Sequence, residues 1–164
     1  MNTKEKILIH KGIDKVRRME YEEALEIFDR VIEMNPNIPE AWNNRGVTLY
    51  RLGRVDEAVE SCDRSLAIDA ENLEALRNKG LALRRLGRLE EALQAYETVL
   101  RRGGDALDME AMASVLMAMG RLEVALDCVI QAANIEPLDR FMEEIETLKG
   151  MIMQRNGPTS EGKE

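Results

Sequence analysis

The chain has 164 residues, of which 45% are hydrophobic and 33% charged, and its formal net charge is −8. This composition excludes a disordered chain, and no run approaches the roughly 18 apolar residues that a membrane span requires. The acidic balance argues against nucleic acid as a partner, because a basic surface supplies most of the affinity in such complexes.

A sequence motif is repeated along most of the chain. Residues 50–58, 84–92 and 117–125 align with one another, and Gly53, Gly87 and Gly120 within them are spaced by 34 and 33 residues. An earlier copy, in which Met19 stands in place of the glycine, extends the series, so that one alanine recurs in every copy, at Ala24, Ala58, Ala92 and Ala125. Matching intervals with matching flanks indicate a true internal repeat.

Each copy predicts two helices. Helix A ends at the glycine, which adopts the left-handed conformation without strain, and the small alanine lets helix B approach helix A closely. Pro36 and Pro137 end the first and last copies, since proline cannot continue the preceding helix. The repeats are predicted at about 5–38, 39–72, 73–105 and 106–139.

A further amphipathic helix follows the last repeat, from residue 138 to about 153. Its apolar residues lie on one face, as is typical of a helix that covers the exposed end of a repeat array. We therefore predict one repeat domain over residues 1–153 and a disordered tail over 154–164.

The repeats resemble the tetratricopeptide repeat (TPR) family. The resemblance rests on the 34-residue period and on the residues that occupy the family's preferred places, namely Gly12, Phe28, Pro36, Trp42, Gly46, Gly80 and Tyr96. The chain departs from the family pattern at four places. Where the family has tryptophan it has Leu8, Leu76 and Met109, and where the family has glycine it has Ala113. The resemblance implies an all-α fold, a right-handed α-solenoid of four helix-turn-helix repeats with a C-terminal capping helix. It also implies an adaptor or scaffold, without catalytic activity, that binds a peptide or helix of a partner protein.

In proteins of this family the A helices line a concave groove. Carried onto this chain, the resemblance implies a ligand-binding groove whose central residues are Asn43, Asn44, Val47, Tyr50, Arg51, Arg77, Asn78, Leu81, Arg84 and Arg85. Lys6, Ile9, His10, Ile13, Val16 and Arg17 take the same positions in the first repeat. Leu107, Glu110, Ala111, Ser114, Met117 and Ala118 take them in the fourth.

The groove positions carry more arginine and lysine than acid, on a protein that is acidic overall. This pattern favours an acidic peptide as the partner, although the helix dipole also favours arginine at helix ends. The relatives that clamp a terminal carboxylate use a set of Lys, Asn and Arg. This chain keeps only Asn44 of that set and has Ile9, Ile13, Glu74 and Asn78 at the other places of the clamp. The carboxylate clamp of those relatives is therefore not expected here.

Ile9, Ile13 and Val16 form an apolar stripe near the N-terminus. They are expected in the core or on the groove floor. The alternative is that the stripe is a surface for homo-oligomerisation through the terminal repeats, which would make the protein a self-associating structural module.

The sequence contains no residue pattern typical of a catalytic site, a cofactor site or a metal site. His10 is the only histidine, and neither a phosphate-binding glycine loop nor a Cys/His cluster is present. Cys62 and Cys128 stand apart in helical patterns, which is typical of a reducing compartment. The N-terminal residues do not resemble a signal peptide, so we expect a cytoplasmic protein.

Overall fold

The computed structural model describes residues 1–157, which form helices and no strands. The helices are α1 (Thr3–Arg17), α2 (Tyr21–Met34), α3 (Pro39–Arg51), α4 (Val55–Ile68), α5 (Leu73–Arg85), α6 (Leu89–Arg101), α7 (Ala106–Ala118), α8 (Leu122–Ile135) and α9 (Asp139–Arg155). Helices α1 to α8 are the A and B helices of the four predicted repeats. The all-helical repeat fold is confirmed.

The chain divides into two compact units. The first comprises residues 1–99 and holds α1 to α5 with most of α6, and the second begins at residue 100. The sequence reading of one repeat domain over residues 1–153 stays a prediction.

Close approach of the A and B helices holds each repeat of the first unit together. A β-carbon on Gly12 would lie 2.7 Å from the ring of Phe28, and one on Gly46 would lie 3.1 Å from the sulfur of Cys62. The predicted alanines of helix B are buried at these crossings, as Ala24 illustrates. Because interiors are close-packed, the missing side chains at glycine set the spacing of the two helices.

The turns between helices A and B repeat one geometry. Gly53, Gly87 and Gly120 have φ of 80°, 75° and 73°, in the left-handed region that the sequence predicted for them. Met19 takes the same place in the first repeat with φ of 62°, although its side chain disfavours that conformation. The geometry of the turn therefore overrides the preference of the residue.

The second unit consists of the end of α6 with α7, α8 and α9. Helix α7 begins with a capping box, in which Asp105 accepts from the backbone N–H of Asp108 and the Asp108 carboxylate accepts from the N–H of Asp105. Helix α9 packs on α8 and buries Phe141, Ile145 and Leu148.

The assignment of residues 154 and 155 to a disordered tail is wrong. Helix α9 continues to Arg155, where the backbone N–H of Asn156 donates to the carbonyl of Ile152. The Arg155 guanidinium bonds the carbonyl of Gly120 at 3.4 Å and pairs with the Glu123 carboxylate, which holds the last turn against α8. Residues 158–164 of the predicted tail lie outside the described residues.

Candidate functional site

A cavity of about 250 Å³ opens between α3 and α5 in the first unit. Its lining residues are Gly46, Val47, Tyr50, Arg51, Asn78 and Leu81. All but Gly46 are among the groove residues named from the sequence. The structure thus brings five of the ten together around one cavity, and their role in binding stays a prediction.

The helical period explains why these side chains face the cavity. Val47 and Leu81 occupy the same place in α3 and α5, one repeat apart. Leu49 and Leu83, two residues further along each helix, point the opposite way and are fully buried in the repeat cores. Each A helix therefore has one face in the core and one face on the cavity.

An amide pair joins the two A helices beside the cavity. The Nδ2 of Asn78 donates to the Oδ1 of Asn43 at 2.9 Å. Asn44 instead donates its Nδ2 to the Glu40 carbonyl of its own helix, at 2.9 Å. The two asparagines that share one repeat position, Asn44 and Asn78, therefore have different hydrogen-bond partners.

The arginines of the groove differ in their surroundings. Arg85 lies over the ring of Tyr50, with its guanidinium carbon 4.9 Å from the ring centre, and donates to the Tyr50 carbonyl at 3.3 Å. Arg77 pairs with Glu74 at 2.7 Å, so a neighbouring carboxylate balances its charge. Arg51 and Arg84 are exposed at the ends of α3 and α5. Positive charge is therefore concentrated at the C-terminal ends of the two A helices.

Ile9 is not a groove residue. It is 1% exposed and forms a core cluster with Val31, Ile38 and Ala41. Its side chain is enclosed because α2 and α3 pack against that face of α1. Ile13 is half-buried and packs against the same cluster, and Val16 is also half-buried. Ile9 is therefore a core residue, one of the two places expected for it, and association through the terminal repeats stays a prediction.

A second concavity, of about 410 Å³, lies on the other side of α3. Arg45 crosses it, donating from Nε to Asp29 at 2.7 Å and from a terminal nitrogen to Ser61 Oγ at 2.8 Å. The same ion pair recurs one repeat later between Lys79 and Asp63, at 2.6 Å. These pairs were not predicted from the sequence, although the acids and the bases are each spaced by 34 residues.

The A-helix positions of the fourth repeat lie in the second unit. There Glu110 pairs with Arg140 of α9 at 2.9 Å. Burial raises the pKa of the neighbouring Glu144, and the Glu110 carboxylate raises it further against the opposing charge of Arg140. This face therefore presents acids and small or apolar residues, in contrast to the arginine-rich ends of α3 and α5.

Neither cysteine resembles a reactive thiol. Cys62 is free and buried, and burial raises its pKa to about 12, with a smaller contribution from Asp63. Burial also raises the pKa of Cys128.

Within residues 1–157 no group of His, Cys, Asp and Glu is arranged to hold a metal ion. Over the same range, none of the helices combines the length and the apolar character needed to cross a bilayer.

Family models of the tetratricopeptide repeat match residues 11–72 and 73–104. Among curated proteins, an uncharacterized protein of Methanocaldococcus jannaschii is 41% identical over 44 residues, which are 27% of this chain and 51% of that protein. The match thus spans about half the length of that relative.

Solved structures extend the likeness over almost the whole chain. A MamA RS-1 ArsTM double mutant aligns with a TM-score of 0.82 at 23% identity, over 96% of this chain and 87% of that one. The first TPR of Spaghetti (RPAP3), bound to the HSP90 peptide SRMEEVD, aligns with a TM-score of 0.70 at 24% identity, over 73% and 96%. The second TPR domain of human RPAP3, in complex with the HSP70 peptide SGPTIEEVD, aligns with a TM-score of 0.62 at 25% identity, over 65% and 89%.

Proposed function

Since the chain belongs to the tetratricopeptide repeat family, whose members are protein-interaction modules, we propose that it is an adaptor that binds an extended acidic segment of a partner protein between α3 and α5. The observation that carries the proposal is the cavity of about 250 Å³ with exposed arginines beside it. The proposal includes no catalytic step and no cofactor.

The cavity has the dimensions of an anchor pocket. An apolar cavity of about 150 Å³ is enough to hold a benzene-sized ligand, so this one accommodates a single large apolar side chain. Val47, Tyr50 and Leu81 supply the apolar wall. An anchored side chain of this kind typically provides much of the affinity of a peptide.

The surroundings of the cavity favour acidic residues next to that anchor. Arg51 and Arg85 stand at its Tyr50 end, and an arginine fork binds a carboxylate through two parallel hydrogen bonds. The human RPAP3 domain, 25% identical to this chain, is in complex with a peptide ending in Glu-Glu-Val-Asp. Because this chain carries Glu74 and Asn78 at two places of the carboxylate clamp, we propose recognition of internal acidic side chains.

Selection from a random dodecapeptide library displayed on phage tests the proposal without assuming a partner. Peptides enriched by the wild type are expected to combine one large apolar residue with flanking Asp or Glu. Binding of a selected synthetic peptide is then compared by fluorescence polarisation among variants. Leu81→Glu, which places a carboxylate in the cavity, and Arg51→Ala/Arg85→Ala are each expected to weaken binding at least tenfold.

The matched control is Arg30→Ala/Arg64→Ala, which removes two exposed arginines from the B helices α2 and α4. It is expected to bind as the wild type does. Undiminished binding to a folded Leu81→Glu variant would exclude the groove as the site. Enrichment of peptides without acidic residues would contradict the proposal of an acidic partner, but it would not contradict the groove as the binding site.

A further inference from the structure

We propose that the concavity of about 410 Å³ between α2, α3 and α4 binds a lysine or arginine side chain of a partner protein. The concavity lies within the first unit and shares no residue with the cavity between α3 and α5. The proposal therefore does not depend on the function proposed for that cavity.

Charge is segregated between the two kinds of helix in the first unit. The A helices α1, α3 and α5 contain eleven lysines and arginines and four acids, which give a net charge of +7. The B helices α2 and α4 contain two arginines and nine acids, which give −7. A surface formed largely by B helices therefore favours a basic partner, because opposite potentials guide association and like potentials oppose it.

Two carboxylates of the concavity are available to a cation. Glu33 of α2 and Glu60 of α4 line it and are exposed, and neither carboxylate has a partner among residues 1–157. The third acid of the lining, Asp29, is already paired with Arg45 at 2.7 Å. An incoming ammonium or guanidinium group can therefore pair with Glu33 and Glu60 without breaking an existing ion pair.

The buried side of the concavity is fixed by its own hydrogen bonds. Arg45 of α3 donates to Asp29 of α2 and to the Oγ of Ser61 in α4. The Ser61 hydroxyl in turn donates to the carbonyl of Glu57 at 2.9 Å. These bonds connect the three helices, so the concavity is formed before a ligand arrives, as is typical of ligand sites.

Trp42 gives the concavity an aromatic wall. Its indole Nε1 donates to the carbonyl of Pro36 at 2.8 Å, which fixes the orientation of the ring. Half-buried Ile32 adds an aliphatic surface. Lysine and arginine pack their methylene groups on surfaces of this kind while the charged group stays beside acids, and indole is the best aromatic partner of a cation. A metal ion has no such methylene groups, so the wall favours a basic side chain.

The next repeat shows which features the fold alone produces. A smaller concavity of about 200 Å³ recurs between α5 and α6. There Leu76 takes the place of Trp42 and Gln94 takes the place of Glu60, each 34 residues later. Repeat packing therefore accounts for the indentation, whereas the indole and the unpaired carboxylates distinguish the concavity beside α3.

Arg64 makes the sign of the ligand charge testable. It lines the concavity, is exposed and has no partner in the described part of the chain. An anionic ligand would pair with Arg64, whereas a cationic ligand would be repelled by it. The two unpaired carboxylates and the acidic helices that carry them outweigh this one guanidinium, so a cation is favoured.

NMR titration of the whole chain with short peptides tests the proposal. Trp42 is the only tryptophan, so its single indole N–H signal reports on the site without further assignment. The probes are acetyl-Gly-Gly-Xaa-Gly-Gly-amide peptides in which Xaa is lysine, arginine, norleucine or glutamate. The lysine and arginine peptides are expected to shift this signal saturably at low salt, with a Kd on the order of 1 mM, because one side chain buries little surface. The norleucine and glutamate peptides are expected to give no saturable shift.

Two variants change the charge of the concavity in opposite directions. Glu33→Gln/Glu60→Gln keeps the shape of both side chains and is expected to weaken binding of the lysine peptide about tenfold or more, because both charged acceptors are lost. Arg64→Gln is expected to strengthen it about threefold, because the repelling charge is lost. The amide spectrum of each variant shows whether it is folded.

Two controls alter other parts of the first unit. Glu90→Gln/Glu97→Gln removes two exposed acids from α6, the next helix B, and is expected to bind the lysine peptide as the wild type does. Leu81→Glu changes the cavity between α3 and α5 and is also expected to leave this binding unchanged. The two proposals can therefore fail separately.

Three results would overturn the proposal. One is the absence of a saturable shift of the indole signal with both basic peptides. Another is equal binding of the lysine peptide to the wild type and to folded Glu33→Gln/Glu60→Gln, or equal weakening by the α6 control, which would show that only the overall charge acts. The third is preferential binding of the glutamate peptide that Arg64→Gln abolishes, since the concavity would then be an anion site.

Discussion

The ring of Tyr96 in α6 lies against Gly80 in α5, so closely that a β-carbon on Gly80 would be 2.8 Å from Cε2 of the ring. Tyr96 is itself buried, so the ring has little room to move away. The absence of a side chain at one residue therefore determines how near the two helices of the third repeat can lie.

Gly80→Ala is expected to destabilise the protein by about 1–3 kcal/mol, because overpacking outweighs the gain in helix propensity of about 1 kcal/mol. Gly150→Ala is the matched control, since Gly150 is helical and nothing lies within 4 Å of its β-position. That substitution is expected to stabilise by up to about 1 kcal/mol. Urea unfolding followed by circular dichroism measures both. Equal effects of the two substitutions would contradict the packing argument.

Met19→Gly is expected to stabilise the protein by about 1 kcal/mol. Met19 has φ of 62° and is 74% exposed, so glycine relieves the left-handed strain while little packing is lost. Met19→Ala removes the same side chain but keeps a β-carbon, and it is expected to give no such gain. If both variants unfold at the same urea concentration, the strain at this turn is negligible.

Glu144→Gln is expected to stabilise the protein at neutral pH. Burial and the Glu110 carboxylate raise the pKa of Glu144, so the folded state holds this proton more tightly than the unfolded state does. The stability that the wild type gains from the protonated form is present at low pH and is lost as the pH rises through the raised pKa. The advantage of the glutamine variant should therefore shrink on acidification.

Unfolding of the Glu144→Gln variant at pH 4 and pH 7 provides the measurement. Glu143→Gln is the control, because Glu143 is adjacent and exposed. An advantage of Glu144→Gln that is as large at pH 4 as at pH 7 would mean that its side chain acts through packing and not through charge.

Cys62 is expected to resist alkylation in the folded protein. The thiolate is the reactive species, and burial raises the pKa of this thiol to about 12. Iodoacetamide at pH 8 should leave Cys62 unmodified until urea unfolds the chain, as read by peptide mass spectrometry. A Glu60→Cys variant places a thiol at an exposed site of the same helix and should react at once. If Cys62 reacts as fast as the cysteine introduced in place of Glu60, α4 opens readily in the folded protein.

The sequence by itself determined the repeat, its period and the turns between helices A and B. Glycine recurring at 53, 87 and 120 marks the turns because few other residues tolerate a positive φ, and the structure places those turns as expected. The alanines at the helix crossings and the burial of Cys62 also followed from spacing along one helix. These features depend on neighbours within a few residues or within one hairpin, which periodicity reports directly.

The tertiary structure alone decided which faces are covered. Ile7 and Ile9 are two residues apart and equally apolar, yet Ile7 is exposed and Ile9 is buried. Successive residues of a helix turn by about 100°, so these two side chains point in nearly opposite directions. Periodicity shows that faces exist, but only the packing of α2 and α3 on one side of α1 determines which face becomes core. The Asn43–Asn78 and Arg45–Asp29 contacts depend on that packing as well, because each joins side chains from different helices.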